Sequence, residues 1–419
     1  VLKTGGTPQK VYLTRTCPEH GASSTCISSD ARFYWLAKGG GEESCCGGSA
    51  CCADESGIDG SLGANAGRGN IEQLSTCLAL IEIVNSCNLS CPTCYADSPL
   101  GSKGEAVDAV PLENLKSRID SVVARKGAID ILQLSGGEPT LHPQFFELLE
   151  WAQSHKGIGY VLINTNGVRI AKDAEFAARL REAFVPGKLQ LYLQFDGIQE
   201  GGQRWLRGAD LREVREEAIR QCGRVPITLA MTVTPENLPH LWEAIEFGLR
   251  HENIRGICFQ PMFGSGRVPV NSGNAERLNT ADIILGAVAQ SEGKLRFEDF
   301  TPLPCGDPNC ATIGYLLKIG GAIRSISDFV NFQEMQGFLK DKVLYRLEDL
   351  SQCGCESEPL GELLKHFELD ERNTFRLLVK PFMDSETWDE DRIDRCCTHV
   401  IRPDGKLDSF CRYYSAASA

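Results

Sequence analysis

The sequence predicts an α/β fold, a partial (β/α)6 barrel with cysteine-rich N- and C-terminal extensions. Residues 71–300 alternate short runs rich in Ile, Leu and Val with helical patterns, the order expected of right-handed βαβ units around a parallel sheet. Thiols, amides, carboxylates and paired glycines fall where those runs end, and parallel barrels hold their chemistry at the C-terminal ends of the strands. The flanks are marked by cysteine: of nineteen in the chain, seven follow residue 300.

The elements follow in order. Lys10–Gly21 predicts a strand, Val11-Tyr-Leu-Thr, that runs into Cys17-Pro-Glu-His20, and residues 38–70, rich in Gly, Ser, Ala and Cys, suit a linker. Strands are expected at Cys77–Val84, Ile129–Leu134, Tyr160–Ile163, Leu189–Phe195, Pro226–Val233 and Ile254–Gln260, each short and apolar enough to be buried on both faces. Helices are expected between them at Leu112–Ala124, Gln144–Ser154, Lys172–Phe184, Leu211–Gln221 and Leu238–Arg250. Three regions result: 1–70, an N-terminal cysteine-rich module and linker expected to be incomplete; 71–300, the barrel; and 301–419, a C-terminal region with further clustered cysteines.

Composition narrows the partners. Hydrophobic residues at 42% and charged residues at 24% are ordinary for a globular protein. A net charge of −13 argues against nucleic acid, whose phosphates need a basic surface. No apolar run is long enough to cross a membrane, and no secretory leader is visible. An odd cysteine count in a long chain points to metal or cluster ligation in a reducing, cytoplasmic compartment rather than to disulfides.

The densest chemistry lies in Asn85-Ser-Cys-Asn-Leu-Ser-Cys-Pro-Thr-Cys-Tyr95. Cys87, Cys91 and Cys94 form C-x3-C-x2-C, with no fourth cysteine in the next hundred residues. Four-iron clusters normally take four thiolates, so three closely spaced ones fit a cluster with one iron open to a small molecule. A structural zinc site, which usually pairs two C-x2-C units, and buried thiols are the alternatives. The second strand ends in Ser135-Gly-Gly-Glu-Pro-Thr140, where Gly136 and Gly137 allow close backbone approach and Glu138 can accept from an ammonium group. The third ends in Asn164-Thr-Asn-Gly167, whose Asn164 and Asn166 suit a polar ligand edge or an ordinary Asn-Gly turn. The fourth ends in Gln194-Phe-Asp-Gly197, with Asp196 placed for ribose hydroxyls or for capping. Gln260 opens Gln260-Pro-Met-Phe-Gly-Ser-Gly266, and Tyr95 follows the third cysteine.

Other cysteines divide by context. Cys77, Cys222 and Cys258 lie in strand or helix patterns, where a core thiol is the default. Cys305 and Cys310 flank a proline-bearing turn, Cys353 and Cys355 form a tight pair, and Cys396, Cys397 and Cys411 close the chain. Clustered cysteines on turns are better ligands than core formers, so one or two auxiliary clusters are expected. Cys45, Cys46, Cys51 and Cys52 fit metal binding or a flexible linker equally. His20, His142 and His399 are candidate ligands, although surface or turn histidine is commoner.

Together these motifs resemble the radical S-adenosylmethionine (SAM) superfamily. The set C-P-E-H-G, C-N-L-S-C-P-T-C-Y, P-C-G-D-P-N-C and C-C-T-H…P-D-G-K…F-C resembles the branch of tetraether lipid synthases and class D radical SAM methyltransferases. The resemblance implies a [4Fe-4S] cluster on Cys87, Cys91 and Cys94 with SAM at the open iron. It places Gly136, Gly137 and Glu138 at the SAM amino group, Gln194 and Asp196 at the next SAM level, glycines after Gln260 beneath the adenine, and Tyr95 against the adenine or the cluster. It implies auxiliary four-iron clusters and a mononuclear iron or zinc at the N-terminal module, of which Cys17 and His20 are the half present. Thr93 departs from the family, where an aromatic residue often precedes the third cysteine. The implied reaction is reductive cleavage of SAM to a 5′-deoxyadenosyl radical, which takes hydrogen from an unactivated carbon. Electrons would come from a low-potential donor such as ferredoxin or flavodoxin. Two outcomes follow from the branch: carbon–carbon joining of lipid alkyl chains, preferred on sequence and compatible with a place at the membrane periphery, or methylation of a small pterin-like heterocycle with a folate-type methyl donor. An electron-transfer iron–sulfur protein is the non-enzymatic alternative. It explains the cysteines but not Gly136–Glu138 or Asn164–Gly167.

Overall fold

A computed structural model describes residues 2–5, 8–34, 76–99, 106–268, 277–303, 306–319, 321–329 and 373–416. The N-terminal strands β1 (Leu2–Gly5), β2 (Lys10–Cys17) and β3 (Gly21–Ser28) make a small antiparallel sheet. Six strands then follow as the apolar runs predict: β4 (Leu78–Val84), β5 (Ile129–Gly136), β6 (Ile158–Thr165), β7 (Leu189–Gln194), β8 (Ile227–Val233) and β9 (Ile254–Pro261). They pair in that order, all parallel.

Helices α1 (Leu112–Lys126), α2 (Phe145–Ser154), α3 (Val168–Lys172), α4 (Ala174–Glu182), α5 (Glu200–Arg207), α6 (Arg212–Cys222), α7 (Leu241–Arg250) and α8 (Thr280–Gln290) complete the crossovers and their continuation. The helix expected over 172–184 is α4, whose start at Ala174 is set by Asp173 accepting from Phe176 N at 3.0 Å, and the short α3 before it was not expected. Helix α5 is unexpected on sequence: two glycines in eight residues weaken its helical pattern. Among the described residues no helix is long and apolar enough to cross a membrane.

The C-terminal region does not stand apart from this sheet. It contributes β10 (Thr301–Pro302), β11 (Thr312–Ile319), β12 (Ala322–Ser325), β13 (Thr374–Val379), α9 (Glu390–Asp394), β14 (Thr398–Ile401), β15 (Leu407–Ser409) and α10 (Phe410–Ala416). β13 pairs parallel to β9 on one edge, and β14 pairs parallel to β4 on the other. The six-stranded core is thereby lengthened at both ends. The curled sheet brings its edges face to face, and Lys380 Nζ, just past β13, donates to Thr398 Oγ1 of β14 at 2.8 Å. β13 and β14 do not pair, so the barrel stays open along this seam.

Alternation along each strand sorts the side chains. On β8, Ile227, Leu229, Met231 and Val233 are buried in the main apolar core, whereas Thr228, Ala230 and Thr232 line an interior cavity of about 300 Å³. A second apolar cluster of Leu80, Met383, Val400, Phe410 and Tyr414 lies beside the seam.

Candidate active site

The cysteine loop hangs over the C-terminal end of β4 and is fixed from several sides. Cys87 N donates to Pro99 O at 3.1 Å, and Cys94 and Arg267 exchange two backbone hydrogen bonds of 2.9 Å. Arg267 Nε also donates to Cys91 O at 2.9 Å, and Thr93 Oγ1 to Leu206 O at 3.0 Å. Thr93 therefore pins the loop to α5, which explains a hydroxyl where the family often has an aromatic ring. Gly266 has φ +61°, and a Cβ there would lie 2.3 Å from Cys94 O. Close crossing over the third cysteine is thus what this glycine permits.

Gly136 and Gly137 act in the same way. A Cβ at either would stand 2.0 Å from Val84 O or 2.2 Å from Ser86 O. Their absence of side chains lets the end of β5 lie directly on the chain entering the cysteine loop, where Gly137 N donates to Val84 O at 2.8 Å and Glu138 N to Ser86 O at 3.0 Å. Both glycines line the cavity, as do Cys87, Cys91 and Cys94.

Glu138 is buried and spends its carboxylate on protein donors. It accepts from Thr140 Oγ1 at 2.6 Å, Thr165 Oγ1 at 2.7 Å, Asn166 N at 2.8 Å and Thr140 N at 3.2 Å. Burial raises its pKa, against the pull of these four hydrogen bonds. Its structural effect is to tie the ends of β5 and β6 together. Asn166 is so held that its Nδ2 donates to Asn88 Oδ1 at 2.7 Å and lies 3.8 Å from Cys87 Sγ. Asn164 Nδ2 donates to Ser135 Oγ at 3.1 Å and Tyr95 Oη at 3.3 Å. Tyr95 packs edge-on to Tyr414 with ring centroids 4.8 Å apart and against Phe410 at 5.4 Å.

Asp196, at φ +63°, is likewise turned to protein. It accepts from Arg207 Nε at 2.7 Å and Nη2 at 3.0 Å, and from Thr232 N at 3.1 Å. Burial alone would lower the Arg207 pKa, but the Asp196 carboxylate outweighs it and keeps the guanidinium charged. Arg207 bears on Cys91, whose thiol burial pushes up and this cation pulls down. The Gln194 carboxamide lies against the Arg207 guanidinium, and its oxygen accepts from Arg207 in the amide orientation that satisfies both groups. Gln260 Nε2 donates to Tyr192 Oη at 2.9 Å, and both residues line the cavity.

The structure thus brings Cys87, Cys91, Cys94, Tyr95, Gly136, Gly137, Asn164, Asn166, Gln194 and Gln260 to one cavity. It sets Glu138 and Asp196 behind the wall as the groups that hold two of its loops. Sequence reasoning missed Arg207, Arg267 and Arg215, the last buried beneath the Asn166 carbonyl to which it donates. An isolated arginine on a helix or loop carries no spacing signal.

The donor set fits a cluster with an open iron. The three thiols of the cysteine loop line the cavity at one end, no Asp or Glu is among the described residues lining it, and burial holds the Cys87 thiol up to about 12. A metal reverses that shift by taking the thiolate. Among the described residues no three His, Cys, Asp or Glu side chains close on a single ion, and a four-iron cube spreads its thiolates more widely than one ion does.

Cys310, Cys396, Cys397 and Cys411 meet at the seam. Cys396 is half-buried, and the three other thiols all bear on it electrostatically. Arg392 Nη2 lies 3.5 Å from Cys310 Sγ, and Met383 N donates to Cys411 Sγ at 3.3 Å. Burial pushes the Cys397 and Cys411 thiols up to about 11. Cys305, Cys353, Cys355, Cys45, Cys46, Cys51 and Cys52 lie outside the described residues. Cys77, expected as a core thiol, is in a disulfide, whereas Cys222 and Cys258 are buried free thiols. Cys17 Sγ lies 3.3 Å from His20 Nδ1 on one exposed turn. His142 and His399 are engaged by backbone, with Val110 O and Cys396 O each 2.8 Å from Nε2.

Residues 81–248 match the Radical SAM superfamily. The chain therefore carries a Radical SAM domain, and that domain implies an enzyme that works with SAM and a [4Fe-4S] cluster. It is 25% identical, over 96% of its length and 88% of the relative's, to the 7,8-dihydro-6-hydroxymethylpterin dimethyltransferase of Methanocaldococcus jannaschii. It is 31% identical to the Fe-coproporphyrin III synthase of Methanosarcina barkeri over 44% of each chain, so that match spans less than half of the relative. Among solved structures, Streptococcus suis SuiB bound to S-adenosylmethionine aligns with a TM-score of 0.36 at 16% identity, covering 49% of this chain and 44% of that one.

Proposed function

We propose that this enzyme uses SAM to abstract hydrogen at a small heterocyclic substrate of the pterin type and transfers to it a methyl group from a folate-type donor. The observation that carries this choice over alkyl-chain joining is the cavity. Its volume of about 300 Å³ is at the small end for ligand sites. Its walls combine apolar residues such as Leu78, Ile131 and Leu378 with Tyr160, Gln190 and Arg376. Apolar walls with polar groups at one end suit a flat ring with a hydrogen-bonding edge. An alkyl chain would leave those polar groups without partners. The near end-to-end similarity to a pterin dimethyltransferase supports the same substrate class. In this reading Cys87, Cys91 and Cys94 hold the cluster, which supplies the electron for SAM cleavage. Gly136, Gly137, Asn164 and Gln194 line the SAM end, and Glu138 and Arg207 hold that end in shape.

Cys310, Cys396, Cys397 and Cys411 are proposed to hold one auxiliary cluster at the seam, fed by a ferredoxin- or flavodoxin-like donor. A mononuclear metal on Cys17 and His20 would need further ligands from outside the described residues.

The test is anaerobic turnover of the reconstituted protein with SAM, a reductant and a methyl donor, using a reduced pterin in one arm and an alkyl lipid in the other. Mass spectrometry then detects 5′-deoxyadenosine and methylated product. Pterin-dependent 5′-deoxyadenosine with a methylated pterin is expected. Stimulation by the lipid alone would overturn the proposal.

A further inference from the structure

Gln133 of β5 lines the cavity, is only 8% exposed, and its carboxamide has no hydrogen-bond partner among the described residues. A carboxamide so deeply buried normally finds one. Two strands away, Gln190 stands in register with it through Leu162. Gln190 is itself fully engaged: Tyr160 Oη donates to its Oε1 at 2.6 Å, Arg376 Nη2 donates to the same oxygen at 3.3 Å, and its Nε2 donates to Thr228 Oγ1. The Arg376 guanidinium, on β13, has no other hydrogen bond and no carboxylate partner among the described residues. It reaches Gln190 across Gly256, where a Cβ would lie 2.8 Å from Arg376 Cβ. Tyr160 and Arg376 sit near the starts of β6 and β13, and Asn164, which lines the other end, is four residues further along β6. At about 3.3 Å per residue, this base lies roughly 13 Å below the SAM end.

From this we infer that Gln133 and Arg376 are substrate-specificity residues, which read the amide-like edge of the heterocycle: Arg376 donates to its ring carbonyl, and Gln133 pairs with an adjacent N–H and acceptor nitrogen. The inference rests on the heterocycle reading above and deepens it. Gln190, fixed by Tyr160 and Thr228, is a positioning residue that aims the Arg376 guanidinium. An unpaired amide and an unpaired cation in one apolar-walled cavity match the 2-amino-4-oxo edge of a reduced pterin, which presents donors and acceptors in one plane.

Equilibrium binding of 7,8-dihydro-6-hydroxymethylpterin to the anaerobically reconstituted, SAM-loaded protein tests this, with Gln133→Leu and Arg376→Met beside it and SAM affinity measured on every sample. Each variant is expected to lose about 10- to 100-fold in pterin affinity while SAM affinity stays within about twofold. A pteridine lacking the amino and oxo groups is expected to bind wild type and variants alike. Pterin binding that is equal in all three proteins overturns the inference and leaves the heterocycle reading standing. No pterin binding by wild type overturns both. Parallel loss of pterin and SAM makes the two residues structural and overturns the inference.

Discussion

Cys87, Cys91 and Cys94 hang from one loop of eight consecutive residues, whereas Cys310, Cys396, Cys397 and Cys411 come from three segments that meet only where the edges of the sheet face each other. The first group is held by backbone, through the paired Cys94 and Arg267 and the contact of Gly137 with Val84. The second is held by groups packed around the seam, among them the Arg392 guanidinium, the Met383 backbone N–H and the Phe410 ring. The triplet is therefore local in the chain and needs only its backbone supports from β5, α5 and the segment after β9, while the seam thiols come together only when β13 and β14 have both joined the sheet.

The largest effect expected is at the triplet. Cys91→Ala should lower 5′-deoxyadenosine formation at least about 100-fold, to background, because a three-thiolate cluster has no ligand to spare. Cys396→Ala should instead lower iron content by roughly one cluster and leave SAM affinity unchanged. Equal loss of SAM binding in both variants would show that the two groups are one functional unit.

Next is Arg207→Met, which leaves the Asp196 carboxylate buried and unpaired. A cost of about 3–5 kcal/mol in denaturant unfolding is expected, with SAM affinity falling as the Asp196–Gly197 turn loosens. An unchanged unfolding midpoint would remove Arg207 from the support of the loop. Glu138→Leu strips four donors of their acceptor and should cost about 2–4 kcal/mol. Circular dichroism melts beside SAM titration would check this; a large loss of SAM affinity with no loss of stability would make Glu138 a ligand contact instead of a tie.

The smallest effect concerns the segment that crosses Cys94. Asp384 is buried, accepts from Gly264 N at 2.7 Å and Arg277 Nη1 at 2.8 Å, and so reaches this segment from beyond β13. Burial works to raise its pKa, but the Arg277 cation and the Gly264 amide leave it below the usual 3.8. A carboxyl depressed in the folded state contributes stability above its unfolded pKa and loses it as pH falls through the folded value. Asp384→Asn should therefore cost about 1–2 kcal/mol at pH 7, and the gap from wild type should narrow as pH drops below about 4. A gap independent of pH would mean the loss is one of shape and not of charge.

Much of the catalytic end was legible because its signals are local. The six parallel strands follow from apolar runs that must be buried on both faces, and the cysteine spacing, Gly136-Gly137 and Asn164–Gly167 fall at their ends. Glu138 and Asp196 were legible as important but not in orientation. A carboxylate beside a site can face the ligand or the protein, and only the positions of Thr165, Asn166 and Arg207 turn these two inward.

By itself, then, the sequence determined the barrel core, its order and the thiol loop, since each depends on residues close along the chain or on a burial pattern repeated strand by strand. Tertiary structure alone decided that residues 374–401 supply the two flanking strands, that Arg207 stands by Cys91, and that Gln133 and Arg376 share the base of one cavity. These are juxtapositions of residues far apart in the chain, fixed by sheet register and curvature, and neither leaves a periodic trace in the amino-acid order.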